Sequence, residues 1–287
     1  MLSMLRASLI AAAMLIALAL PTRAQAPDPV PADLNNSMIR VAYMPSQKYA
    51  QMRLELREKK ILERLKQFLS PLRLPQTLGL RMEQCDDVNM FYRSLDSTIT
   101  VCYEFIEVAQ KIADFAATQG APRDVVLYGG IIGGMLHEAG HAVFDILRVP
   151  VLGREEDAAD QIASFIALQF QPEIAKVVIQ GTAHMLRLLG GADVDKANLR
   201  AIMVADEHGT ASQRFYNIFC IAYGADPKTY REIAEVTKIP AERLRNCANE
   251  YREVEAAFAK TVYPYVDQEK MAKVQAVHWL DVLGFKK

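Results

Sequence analysis

The 287-residue sequence has no Cys-x-x-Cys pair, no run of lysine and arginine flanking aromatic residues, no internal repeat and no low-complexity tract. It also lacks an apolar stretch of comfortable membrane-spanning length. Without Cys-x-x-Cys, a centre built on cysteine thiolates loses its usual close ligand spacing. A formal charge of −1 offers no basic excess to neutralise phosphates, so no nucleic-acid partner is expected. The absence of repeats excludes solenoids and propellers. What is present is the composition of an ordinary globular protein, 51% hydrophobic and 23% charged, long enough to bury a sizeable core.

The first residues, 1–26, read as a secretory signal peptide: Arg6 lies in a short basic region, an apolar run extends from Leu9 to Leu20, and Pro21 and the small residues Ala24 and Ala26 follow. Cleavage fits after Ala26 or after Ala24, and an uncleaved anchor is the alternative. The chain is therefore expected to be exported, periplasmic or secreted, with no stable membrane span after signal cleavage. Its four cysteines, Cys85, Cys102, Cys220 and Cys247, suit that compartment, because an even number in an exported chain points to disulfides. Three pairings are possible, and locality favours Cys85 with Cys102 and Cys220 with Cys247.

Residues 27–40, rich in Pro, Asp and Asn, read as a linker ordered only where it docks, and 41–287 as a single domain. Apolar residues at helical spacing, among them Met52, Leu56, Ile61, Leu65 and Phe68, predict one long amphipathic helix over 46–68. Strands are expected over 78–82 and 97–105, the second from the alternation of Ile99, Val101, Tyr103 and Phe105, with a loop over 86–96 between them. Helical patterns then cover 105–118, 125–147, 155–170, 174–189 and most of the chain from Val194 on. The fold class expected is α+β, mainly helical and zincin-like, with a small antiparallel sheet packed near the 125–147 helix. Five glycines inside that helix, Gly129, Gly130, Gly133, Gly134 and Gly140, each cost on the order of 1 kcal/mol relative to alanine. Close packing against a smooth helix face would justify them, and an irregular helix is the alternative.

The same helix carries His137-Glu138-Ala139-Gly140-His141. Residues four apart on a helix share a face, separated by about 6 Å along the axis, so both imidazoles can reach one metal ion with Glu138 beside them. Two histidines and a glutamate in five residues also arise on helices that bind nothing, and a catalytic zinc needs a third protein donor. In the next helix Glu156 and Asp160 are four apart, on a face that continues through Ala163 and Ala167. Two carboxylates followed by small residues describe a helix lying close against a metal site. The pair resembles the second half of the gluzincin pattern, Glu-x-x-x-Asp after His-Glu-x-x-His. That resemblance makes Glu156 the third ligand and Asp160 the acceptor that orients a ligand histidine through its other ring nitrogen. Glu155, Asp157 or Asp160 could replace Glu156, and the acidic run could simply favour a helix N-terminus. The fifteen residues from His141 to Glu156 are fewer than usual for the pattern, and the longer metzincin pattern fails, since Phe144 and Leu147 stand where it needs Gly and His. Further on, His208, Arg214 and Tyr216 fall within one short stretch and are candidate stabilisers of an oxyanion. A helix cap or surface residue is the other reading of His208, while His184 and His278 read as structural.

Taken together, Cys85 with 89–92, the 99–104 strand, the His-Glu-Ala-Gly-His motif, 153–160, 208–220 and Cys247 with Glu250 and Tyr251 resemble a family of bacterial exported proteins described as metallopeptidases of unknown function. The motif and the resemblance imply a zinc-dependent peptidase that hydrolyses peptide bonds with a metal-activated water. His137, His141 and Glu156 would hold Zn2+, with Mn2+ or Co2+ as alternatives, and Glu138 would move the proton. The substrate would be a peptide or protein, paired in extended form with the 97–105 strand. The rival expectation is a non-catalytic exported protein, metal-stabilised, that binds a partner or an envelope component. Glu138 separates the two, because a structural site has no use for a free carboxylate beside its metal.

Overall fold

Alternating apolar and polar side chains build a four-stranded sheet of order β1-β2-β4-β3, formed by β1 Ile39–Tyr43, β2 Leu78–Glu83, β3 Met90–Arg93 and β4 Thr98–Cys102. Leu78, Leu80 and Met82 of β2 turn into the core, and β4, between two neighbours, is buried along its whole length. The structure, a computed structural model, describes residues 30–189, 208–283 and 285, so the signal peptide expected over 1–26 lies outside it. The sheet is mixed rather than antiparallel: β1 and β2 run parallel, as do β2 and β4, and only β3 opposes β4. Connection length is the reason. Parallel neighbours need a crossover of about a dozen residues or more, and the chain between β1 and β2 provides one through α1 Ala50–Glu58 and α2 Ile61–Phe68. Only the β3–β4 connection, 94–97, is short enough for a hairpin.

Three local expectations shift. The helix predicted over 46–68 is two, because Lys60 between them takes a left-handed conformation, φ +54°. The 97–105 strand stops at Cys102, and Tyr103 opens helix α3, Tyr103–Thr118. The stretch read as a linker is docked from Val30 onward: Val30 and Leu34 pack in one apolar cluster with Phe170, Val274 and Trp279. Asn36 donates through Nδ2 to the carbonyls of Ser70 and Leu72 just before β1 begins.

The mainly helical α+β class holds. A π-helical turn, Val125–Gly129, runs into α4, Gly130–Ile146, which is followed by α5, Glu155–Leu168, and α6, Pro172–Leu189. Helix α4 is buried on nearly every side, and the glycines make that possible. A Cβ on Gly129 would lie 2.1 Å from the Val177 carbonyl oxygen of α6, and one on Gly140 would lie 2.7 Å from Ile162 Cγ2 and 3.2 Å from Ala159 Cα of α5. Among the described residues the remaining α-helices are α7 Ala211–Ala225, α8 Arg231–Val236, α9 Ala241–Thr261, α10 Gln268–Ala276 and α11 Trp279–Val282, with a 3-10 turn, Tyr263–Tyr265, after α9. Helix α7 starts at a capping box in which Thr210 and Gln213 satisfy each other's backbone N–H groups. Both disulfides form in the local pairing, Cys85–Cys102 and Cys220–Cys247, the second joining α7 to α9. Among the described residues no helix is long and apolar enough to cross a membrane.

Candidate metal centre

Close approach of α4 and α5 at Gly140 sets the site, because it brings the first two turns of α5 under the histidines of α4. His137 is held at both ring nitrogens: Nδ1 lies 2.9 Å from Asp160 Oδ1 and Nε2 lies 3.0 Å from Glu156 Oε2. His141 Nε2 stands 3.3 Å from His137 Nε2 and 3.4 Å from Glu156 Oε1, while its Nδ1 meets Glu155 Oε1 at 2.7 Å. Asp160 is buried, and Arg214 clamps it with two hydrogen bonds, from Nε and Nη2, each 2.8 Å.

A neutral His137 that donates Nδ1–H to Asp160 presents a lone pair at Nε2, facing a carboxylate oxygen and a second imidazole nitrogen. Lone pairs 3.0–3.3 Å apart require a proton or a cation between them. Metal–donor bonds of about 2.0–2.1 Å in a tetrahedron set neighbouring donor atoms about 3.3–3.4 Å apart; the two imidazole nitrogens stand 3.3 Å apart, and Glu156 meets one through Oε2 at 3.0 Å and the other through Oε1 at 3.4 Å. The donor set, two imidazoles and a carboxylate with the outer ring nitrogens on Asp160 and Glu155, therefore fits a divalent metal ion. Among the described residues a second cluster of potential donors, Cys85, Cys102 and Glu104, does not, because its thiols are joined in a disulfide.

Without metal the cluster behaves as a network of ion pairs. Burial alone would lower the pKa of His137, but Asp160 and Glu156 outweigh it and raise it to about 9. His141 is also raised: burial opposes the shift, and Glu156 and Glu155 drive it. Burial would raise Glu156, yet bonds from His137, His141 and His208 hold it far below the usual carboxylate range. Asp160 is lowered in the same way by Arg214 and His137 against its burial. Glu138 goes the other way. It is buried, burial pushes its pKa up, and its Oε2 accepts a 2.7 Å hydrogen bond from the backbone N–H of Tyr92 in β3.

Glu138 thus faces β3, one of the two edge strands, and a cavity of about 190 Å3 opens beside it, His137 and His208. Tyr92 also ties β3 to α4 through its hydroxyl, which donates to Asp145 Oδ2 at 2.7 Å. The strand predicted over 97–105 cannot pair with an extended ligand, since β4 is flanked by β2 and β3.

The residues singled out downstream part company. His208 reaches the cluster, with Nε2 2.9 Å from Glu156 Oε2. Arg214 lines the cavity, but its guanidinium is engaged with Asp160, so it supports the carboxylate that orients His137 instead of facing an oxyanion. Tyr216 turns away. Its ring packs on Phe215 and lines a separate depression with Asp157, Gln213, Asn217 and Arg243. Sequence reasoning missed Glu155 as the acceptor for His141 and Tyr92 as the partner of Glu138. The first had a signal, an acid immediately before Glu156; the second had none, because only the tertiary fold brings β3 to α4.

No curated protein and no solved structure matches the chain. A family model does, over residues 43–261, a span that contains strands β2, β3 and β4, both disulfides and every residue of the cluster. The chain belongs to that family, whose description is "Putative metallopeptidase".

Proposed function

We propose that the protein is an exported zinc-dependent peptidase whose metal is held by His137, His141 and Glu156. The observation that carries this reading is the convergence of three donor residues from two helices, with Glu156 meeting His137 through Oε2 at 3.0 Å and His141 through Oε1 at 3.4 Å, and a buried carboxylate, Glu138, left outside the donor set. When bound, the metal ion supplies Lewis-acid polarisation of a carbonyl and lowers the pKa of water. Glu138 takes the proton from the attacking water and later hands it to the leaving amine, a role suited to a buried carboxylate whose pKa lies above the ordinary value. Asp160 and Glu155 hold the two imidazoles with Nε2 facing the metal, and Arg214 keeps Asp160 ionised. The substrate proposed is a peptide laid along β3, the edge strand beside Glu138. Both disulfides support an oxidising, extracytoplasmic setting.

A non-catalytic, metal-stabilised binding protein is the second reading, favoured by the contact of His208 with Glu156, since structural zinc sites are closed by four protein donors. Metal analysis combined with cleavage of a peptide mixture by wild type and Glu138→Gln separates the two. Wild type is expected to carry one equivalent of zinc and to cleave. The variant should keep the metal and lose rate by about 10²–10⁴-fold. Metal-loaded wild type that cleaves no peptide, or a variant as active as wild type, would refute the peptidase.

A further inference from the structure

His208 stands too close to the cluster for the role first expected of it. Its Nε2 lies 2.9 Å from the same Glu156 oxygen that stands 3.0 Å from His137 Nε2, and its ring lies stacked on that of His137 with centroids 6.1 Å apart. The donor atoms of His137, Glu156 and His208 all fall within 4.8 Å of one another. An imidazole that stabilises an oxyanion has the oxygen between itself and the metal ligands, so donor and ligand stand apart by more than one contact distance. A gap of 2.9 Å admits no atom in between. It is a hydrogen-bond distance, about 0.4 Å short of the separation of two neighbouring donors around one tetrahedral cation, about 3.3–3.4 Å, so a small shift of the imidazole would seat it as a donor.

We infer that His208 is a fourth protein donor that closes the metal centre in its resting state and must leave before water or a substrate carbonyl can enter. The inference rests on the reading of His137, His141 and Glu156 as a metal centre and adds a regulation of that centre. Closed sites with four protein donors are structural and open sites with three are catalytic; a donor able to move gives one site both forms. His208 is placed to move. Its side chain is 46% exposed where that of His137 is 6% exposed. It precedes the Thr210 cap of α7, on irregular backbone, whereas His137, His141 and Glu156 are fixed on α4 and α5. Substrate then competes with an imidazole of the protein's own chain, which slows cleavage without abolishing it.

The test uses the full chain loaded with Zn2+ or Co2+, as wild type, His208→Asn and His208→Ala, with activity left aside. X-ray absorption of the zinc form counts imidazole ligands, the cobalt spectrum reports coordination number, and a chelator competition gives the rate of metal loss. Wild type is expected to show three imidazoles, and both variants two imidazoles with solvent added and zinc lost at least about tenfold faster. Two imidazoles in wild type, with spectra and release rates unchanged in the variants, overturn the proposal and leave the three-ligand centre standing. Failure of wild type to take up either metal overturns both.

Discussion

His137 concentrates the chemistry of the site, since one buried ring meets Asp160 at one nitrogen and Glu156 and His141 at the other. In the metal-free protein it keeps its proton up to about pH 9, above its ordinary 6.5. A folded-state pKa raised in this way contributes stability that is complete below pH 6.5 and is lost as pH rises through about 9. His141 and His208 shift in the same direction, and the depressed Glu156 and Asp160 matter only at acid pH. Urea midpoints of metal-free protein should therefore fall between pH 6.5 and 9. Metal must displace the same proton, so zinc affinity should rise across that window, with proton release measurable by calorimetry in two buffers. A flat stability profile with no proton release would contradict the ion-pair geometry described for His137.

At the scale of elements, the site depends on how closely α4 approaches its neighbours. Gly129 lies against the backbone of α6, where nothing can yield to an added methyl, while Gly134 faces only the flexible end of Met90, 3.2 Å from where a Cβ would sit. Gly129→Ala is expected to cost about 3 kcal/mol and Gly134→Ala less than about 1 kcal/mol, read from denaturant midpoints. Equal effects of the two would mean that backbone contact between α6 and the π-helical turn leading into α4 does not set the spacing. The two-helix arrangement was largely legible in the sequence, because the period of Glu156, Asp160 and Ala163 marks one face and the glycines of α4 mark another. The strands were less so. β1 lay at the edge of a Pro-rich stretch, and β3 has four residues inside a loop, too short for a period to register.

For the molecule as a whole, two disulfides secure the parts on which the site leans. Cys85–Cys102 holds the chain entering β3 to the end of β4, where the carboxylate of Glu104 also receives the N–H groups of Cys85 and Asp86. Cys220–Cys247 joins α7, which carries Arg214, to α9. The bridges close loops with sequence separations of 17 and 27 residues, and chain entropy assigns each about 3 kcal/mol. Reduction should lower the thermal midpoint by well over ten degrees, and replacing Cys220 and Cys247 by Ser should reproduce about half of that loss. A midpoint insensitive to reductant would remove the stabilising role.

The sequence by itself determined the helices that carry His137, Glu138, His141, Glu156 and Asp160, because helical period is local and the acids and histidines recur at four-residue spacing. It also favoured the local disulfide pairing, one of three possible, and pointed to the mainly helical α+β class. Only the tertiary structure decided what those side chains meet. Sheet direction followed from the crossover through α1 and α2. Arg214 went to Asp160 because α7 packs on α5, and Tyr216, two residues later on the same helix, was carried to a different face. His208 reached Glu156 and Tyr92 reached Glu138 across separations of 52 and 46 residues, contacts that no local period encodes.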